Sequence, residues 1–211
     1  MTATRPAFVL LVPVKDSVDA KSRLGLTHGQ RLLLRRAFAQ DAVLAAQNCA
    51  LAQVHVVGDG RGLGVPAVAD EGAGDLNAAL RRAADRLAVP DLGIGVLLAD
   101  LPCLSIDDLT AALAAAHELG RRCFVADAES TGTTMLAAPP GCALDPRFGA
   151  GSAQRHRDSG AVELSLPVAT LRRDVDTRGD LAAALSLGVG PHTSAVATEH
   201  QLWSVGDAER R

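Results

Sequence analysis

Apolar residues come in two kinds of run along the first part of the chain. Phe8-Val-Leu-Leu-Val-Pro-Val14 is hydrophobic almost without interruption over the length of a strand, the pattern of a strand covered on both faces and therefore central in its sheet. A polar stretch over 15–27 separates it from a second pattern, in which Leu34, Ala37, Phe38, Leu44 and Ala45 recur at helical spacing between about residues 28 and 48. Asp41 falls on that apolar stripe, either at a helix edge or in reach of the preceding basic loop through a charge-assisted hydrogen bond. Residues 53–57 then predict a strand, the glycine-rich 58–64 a loop, 65–69 a minor strand and 76–87 a helix.

The run 94–99 predicts a second buried strand, with Asp100 behind it and Pro102 to stop the ladder. Ser105 and Asp108 have the spacing of a capping box, opening a helix that carries Ile106, Leu109, Leu113 and Ala116 and closes at Gly120. Strands at 123–126 and 134–138, a short basic helix at 152–158 and a strand-like 162–166 follow, and Thr177 with Asp180 opens a last helix through Leu187. The domain expected is 1–190, and 191–211 lacks periodicity and reads as an irregular tail. Strands alternating with helices predict an α/β fold: a single-domain mixed, mostly parallel sheet flanked by helices, with an antiparallel addition late in the chain.

A length of 211 residues suits one domain, and 48% hydrophobic against 21% charged residues is an ordinary globular balance. With four Phe, one Trp and no Tyr the core is aliphatic, and the stacking platforms of single-stranded nucleic acid binders are scarce. A net charge of −3 gives no overall attraction for a nucleic acid or an anionic membrane, so any phosphate site is local. Cys49, Cys103, Cys123 and Cys142 form no CxxC pair and read as small hydrophobes in a reducing cytoplasm. The first apolar run is too short to span a bilayer and is broken by Pro13, so neither export nor anchoring is expected.

In an open parallel sheet, ligands sit outside the carboxyl ends of strands, which directs attention to Lys15, Gly58, Asp100 and the region of Asp174. Lys15, Lys21 and Arg23 place three cations in one polar loop, enough to neutralise a triphosphate, or else a solvated basic loop. Asp100 ends an apolar strand, where a carboxylate is costly to desolvate unless it is paired or bound to a cation; a solvated strand end is the plainer alternative. Asp174 and Asp176 are two apart, so in extended backbone both point to one side and can converge on a hard cation such as Mg²⁺, unless one of them merely belongs to the Thr177 cap. Ser152, Arg155 and Arg157 on a short helix behind a Gly-Ala-Gly turn offer an anion site or an exposed basic face, and 131–134 offers hydroxyls and amides or a simple turn. The 58–64 loop lacks G-x-G-x-x-G spacing, and neither a Walker A pattern nor G-x-S-x-G occurs, which disfavours P-loop hydrolysis and serine-esterase chemistry. His28, His55, His117, His192 and His200 are isolated and receive no role.

Taken in order, Val12-Pro-Val-Lys15, Ala20-Lys-Ser-Arg-Leu24, Leu98-Ala-Asp-Leu-Pro102, Phe124-Val-Ala-Asp127, Thr131-Gly-Thr133, Pro146-Arg-Phe-Gly149, Ser152 with Arg155-His-Arg157, Ser159-Gly-Ala161 and Asp174-Val-Asp-Thr177 closely resemble the phosphoenolpyruvate/2-phospho-L-lactate guanylyltransferases of F-420 coenzyme biosynthesis. The resemblance spans roughly residues 8 to 191 and implies a nucleotide-diphospho-sugar-transferase-like, Rossmann-like fold. It implies that a phosphorylated three-carbon acid attacks the α-phosphorus of GTP, that pyrophosphate leaves, and that the guanylylated product passes to a downstream transferase. By position, Asp100, Asp174 and Asp176 match the metal carboxylates; Thr133, Ser152, Gly149 and Arg155 fall on the substrate side; Lys15, Lys21 and Arg23 match the basic nucleotide loop. Asn77 opens a helix this fold places near the nucleoside, although the approach through Asp75 is shorter than in relatives. Phosphoenolpyruvate is the acid favoured, because the Ala-, Arg- and Gly-rich composition is that of high-GC actinobacterial members assigned that substrate; 2-phospho-L-lactate and 3-phosphoglycerate share its carboxylate and phosphate. A molybdopterin or sugar-phosphate nucleotidylyltransferase would call for a Gly-rich loop where 15–24 stands, and a non-catalytic nucleotide-binding domain would not need three carboxylates.

Overall fold

The apolar run Phe8–Val14 forms β1, and its two faces explain its composition. Phe8, Leu10 and Val12 enter a core with α1 (His28–Gln47) and α3 (Ile106–Leu119), while Val9 and Leu11 enter a second core with α2 (Leu76–Leu87). From Phe8 to Val12 no residue is more than 2% exposed, so no polar side chain could be accommodated on either face without a partner. The structure is a computed structural model and describes residues 5–15 and 24–202.

Around β1 the chain adds β2 (Ala52–Gly58), β3 (Ala67–Val68), β4 (Gly93–Leu97), β5 (Cys123–Ala126), β6 (Thr133–Ala138) and β7 (Val162–Glu163), with α4 (Ser152–Asp158) and α5 (Arg178–Leu187) in the connections and beyond. The sheet order is β3-β2-β1-β4-β6-β5-β7. β1 pairs in parallel with β2 and β4, and β6 runs antiparallel to both β4 and β5, the antiparallel addition expected from the consecutive late strands. Because the chain leaves β1 for β2 on one side and returns to β4 on the other, β1 marks the reversal of strand order, where an α/β sheet opens a crevice. The carboxyl ends of β1, β2, β4 and β5 and the amino end of β6 share that edge.

Local chemistry holds the ends of these elements. Thr27 and Gln30 form a reciprocal capping box on α1, as do Thr177 and Asp180 on α5. At α3 the box is only half made: Ser105 accepts from the Asp108 amide, but the Asp108 carboxylate accepts instead from the amide (2.8 Å) and hydroxyl (2.6 Å) of Thr170. The predicted strand over 162–166 pairs only at Val162–Glu163. No helix among the described residues is long and apolar enough to cross a membrane.

The irregular tail expected over 191–211 is corrected in its first part. Pro191–Glu199 is a helix, α6, packed on α1 with Thr193 and Ala197 buried; residues 203–211 lie outside the described residues. Its own N-cap, Gly190, has no side chain, and Asp41 of α1 supplies the cap: its two carboxylate oxygens accept the amides of His192 (3.0 Å) and Thr193 (2.8 Å). Among the described residues, Asp41 is engaged by these amides, while Lys21 and Arg23 of the basic loop lie outside them. A helix whose amides are capped from 151 and 152 positions away leaves no local trace, which is why periodicity alone misses it. Gly190 is required as well, because a Cβ there would run into the Asp41 carboxylate. Asp41→Ala is expected to lower unfolding stability by about 2 kcal/mol, the scale of a lost cap with charged acceptors; an unchanged denaturant midpoint would contradict the tie between α1 and α6.

Candidate active site

Two cavities, each about 600 Å³, open at the carboxyl edge of the sheet, within the ~300–1,000 Å³ range of small-molecule sites. The first lies against β1 and α1 and is lined by Lys15, Arg35, Arg36, Asp59, Arg61 and Asp100 among apolar residues. The second lies beyond β4 and is lined by Asp100, Thr133, Gly149, Ser152, Asp174 and Asp176, among others. Leu76, Leu98 and Asp100 line both, so the two chambers adjoin at the end of β4.

The aspartates reach this edge by simple geometry. Val175 is fully buried in a cluster with Leu24, Leu34, Phe38, Cys103 and Leu181, and its neighbours Asp174 and Asp176 turn to the cavity. The Val175 amide donates to the Asp100 carbonyl at 3.1 Å, which holds the 174–176 segment against the end of β4. Asp100, Asp174 and Asp176 thus share one cavity, although among the described residues no three His, Cys, Asp or Glu side chains gather closely enough to hold a metal ion by themselves.

On the far wall, Asp127 at the end of β5 accepts the amides of Thr131 (2.9 Å) and Gly132 (2.6 Å), folding the turn that delivers Thr133 to the cavity. A Cβ on Gly132 would collide with that carboxylate, so the turn needs glycine. The turn amides, one of the anion sites considered from sequence, are engaged internally. So are two amides at the start of α4: Ser152 donates to the Gly149 carbonyl and Ala153 to the Thr131 carbonyl. The Arg155 guanidinium donates to the carbonyls of Arg147 and Ala150 and is not part of the cavity wall, so it pins the 147–151 loop from behind. Asn77 also faces that loop: its side chain donates to the Phe148 carbonyl (3.1 Å) and accepts the Phe148 amide (2.7 Å), pairing α2 with the loop as a strand would. Lys15 lines the first cavity and donates to the Gly74 carbonyl at 3.1 Å. Lys21 and Arg23 lie outside the described residues.

Comparison with known proteins follows the same outline. The profile of the family described as "Guanylyl transferase CofC like" matches residues 8–195. The chain belongs to that family. A Streptomyces coelicolor protein named phosphoenolpyruvate guanylyltransferase is 51% identical over 203 residues, which cover 90% of this chain and 95% of the relative. Among solved structures, a candidate nucleotide-diphospho-sugar transferase from Desulfovibrio desulfuricans G20 superposes with a TM-score of 0.69 at 17% identity, over 93% of this chain and 96% of that one. A Mycobacterium tuberculosis H37Rv protein solved in complex with manganese gives 0.53 at 18% identity, over 87% of this chain and 100% of that one. The two structures bear on the fold, and the family makes this chain a guanylyltransferase.

Several groups that line these cavities carry no sequence motif. Asp59 and Arg61 belong to the glycine-rich loop after β2 that spacing alone dismisses, yet both line the first cavity. The Arg61 side chain, bonded to Asp59 at 2.8 and 3.0 Å, is the main reason that carboxyl stays far below the usual carboxylate range, with help from the Arg61 amide and Arg36. Their position directly after a strand that reaches the sheet's ligand edge is the signal that could have found them. Arg173 lines the second cavity beside Asp174. Its Nε, like those of Arg31 and Arg122, is buried without a hydrogen-bond partner among the described residues.

His156, on the helix first read as a basic face, is fully buried between Phe124 and Phe148. Burial, reinforced by the charges of Arg122 and Arg155, pushes its pKa from 6.5 down to about 4. Between those values the unfolded chain binds a proton that the folded chain does not. The contribution is therefore complete above about pH 6.5 and is lost as pH falls toward 4, on the order of 3 kcal/mol in all. An NMR titration is expected to keep the His156 ring neutral at pH 5.5 with a midpoint near 4, and a midpoint near 6.5 would contradict its enclosure.

Proposed function

We propose that this guanylyltransferase moves the GMP unit of GTP onto the phosphate of phosphoenolpyruvate, releasing pyrophosphate and forming enolpyruvoyl-2-diphospho-5′-guanosine. The observation that carries this reading is the meeting of two ligand-sized chambers at Asp100, one rich in arginine and lysine and the other in carboxylates. A transfer between two anions needs such an arrangement: one chamber for the donor triphosphate, one for the acceptor acid, and a shared wall where they react. The name of the Streptomyces coelicolor relative supports the acid chosen. The product would then pass to a downstream transferase of F-420 biosynthesis.

In this reading, Lys15, Arg35, Arg36 and Arg61 screen the triphosphate in the first chamber, joined by Lys21 and Arg23 from the loop after β1. Thr133, Ser152 and Gly149 receive the acid in the second, and Arg173 offers it a guanidinium. Asn77 and Arg155 serve the acid indirectly, by fixing the loop that carries Gly149. The acceptor phosphate is already largely ionised near neutral pH, so its oxygen attacks the α-phosphorus without a general base; the new O–P bond forms as the bond to the β-phosphate oxygen breaks. No histidine is needed, and His156 is sealed from the reacting groups.

The carboxylates Asp100, Asp174 and Asp176 form an oxygen-only donor set suited to a hard divalent cation, with Mg²⁺ the natural candidate and manganese the ion held by the Mycobacterium tuberculosis structure of the same fold. Mg²⁺ commonly takes one or two protein carboxylates and completes its shell with water and substrate phosphates, so a closed protein cluster is not required. When bound, such an ion would screen the two anions from each other and stabilise charge in the transition state.

A pyrophosphate-release assay with GTP, Mg²⁺ and each of phosphoenolpyruvate, 2-phospho-L-lactate and 3-phosphoglycerate is expected to run fastest on the first. Release with none of them overturns the reaction, and preference for another acid overturns the acceptor. Asp100→Asn keeps the shape of the side chain and is expected to reduce turnover by about a thousandfold or more, ~4 kcal/mol of transition-state stabilisation, at an unchanged denaturation midpoint. An active Asp100→Asn enzyme would refute the role given to this carboxylate.

A further inference from the structure

The Thr133 hydroxyl has more than its own rotamer to orient it. Its only described hydrogen-bond partner is Nδ1 of His156, 2.9 Å away, and the other nitrogen of that ring, Nε2, lies 3.0 Å from the Arg147 amide. An amide can only donate, so Nε2 must be the bare nitrogen. A neutral imidazole then carries its single proton on Nδ1 and donates it to the threonine oxygen. Thr133 Oγ1 accepts that bond, and its own proton is left to point elsewhere; the open side of Thr133 is the carboxylate-lined cavity.

We infer that His156 is a positioning residue that fixes the Thr133 hydroxyl as a hydrogen-bond donor toward the acid substrate. A free threonine hydroxyl donates or accepts with equal ease. With one lone pair taken by the imidazole N–H, its proton is directed to groups that only accept, namely carboxylate and phosphate oxygens, and a group that can only donate, such as an ammonium, is disfavoured in the same place. The same ring bonds the Arg147 amide at the start of the Arg147–Gly149 loop, so loop closure and hydroxyl direction are set together. The packing around the ring supports this. Phe124 and Phe148 flank it at centroid distances of 5.6 and 5.2 Å and the ring is fully buried, and the depressed pKa keeps the imidazole neutral through the physiological range.

The inference rests on the reading of Thr133 as a contact of the acid, and the tests separate the two. In the wild-type protein, long-range ¹H–¹⁵N correlation spectra at neutral pH are expected to report the Nδ1–H tautomer for His156; the Nε2–H tautomer or an imidazolium overturns the inference without any variant having to fold. In steady-state kinetics, Thr133→Val is expected to raise KM for phosphoenolpyruvate about tenfold, the scale of one hydrogen bond to a charged group, and to leave KM for GTP unchanged. His156→Phe should produce a similar rise, and the double variant should be no worse than either single one, because both remove the same bond. His156→Asn, whose amide can donate from near the Nδ1 position, should restore most of the loss. If Thr133→Val leaves KM for the acid unchanged, the assignment of Thr133 to the acid fails. If Thr133→Val acts but the His156→Phe effect adds to it, or falls equally on GTP, Thr133 stands and the positioning role of His156 is overturned.

Discussion

Guanylyl transfer must bring a triphosphate up to a second anion, and mutual repulsion is the constraint the architecture has to meet. The reversal of strand order at β1 provides the place. It brings the ends of β1, β2 and β4 to one edge, with β5 and the start of β6 beyond. The charges around it are divided. Lys15, Arg35, Arg36 and Arg61 outnumber Asp59 on the β1–α1 side, and Asp127, Asp174 and Asp176 outnumber Arg173 on the β4–β6 side, with Asp100 at the seam. Coulomb energies in a partly desolvated crevice are several times those in water, so the net charge of each side bears strongly on how an anion approaches it.

Holding Asp100 at that seam depends on elements far along the chain. Its carbonyl accepts from Val175, and the carbonyl of Pro102, two residues on, accepts from Gly190 at 2.8 Å. Gly190 begins α6, whose amides are capped by Asp41 of α1. The cluster of Leu24, Leu34, Phe38, Cys103, Val175 and Leu181 fills the space among these segments, so α1, α5 and the strand-end loop are packed as one unit. The final helix is therefore part of the support of the reaction edge.

The parts of this design that follow one-dimensional rules were legible in the sequence. β1 announced itself because both of its faces are buried, α5 because Thr177 caps it locally, and the edge positions of Asp100 and the Asp174–Asp176 pair because they stand where segments reach the ligand edge. What was hidden depends on pairings between distant residues. Asp41 looked like a polar interruption of a stripe and is a cap; Asn77 looked like a nucleoside contact and is bonded to Phe148; Arg155 looked like an anion ligand and holds two carbonyls. The partners of Asp41 and Asn77 lie far away in the chain, and local sequence carries no sign of them. The glycine-rich loop failed a motif test that concerns a different phosphate grip, while its Asp59 and Arg61 reach the cavity as side chains.

Arginine usage bears on how the basic groups of this chain are read. Of the 21 Lys and Arg, only Lys15 and Lys21 are lysine. Arg31, Arg35, Arg82, Arg122, Arg155 and Arg172 each donate to a main-chain carbonyl of a loop or helix end. The planar guanidinium, always charged and with five donors, can pin irregular backbone in a way that a lysine, with one compact charge, cannot. In a chain with few aromatic residues to pack beneath its loops, that is a substantial source of order. It also alters how basic motifs should be read here. An arginine in a loop near the site is by default a staple of the backbone, and a ligand contact is better sought in cations that face the chambers directly. By that criterion Lys15 and Arg173 stand apart from Arg155, since each lines a chamber that Arg155 does not reach.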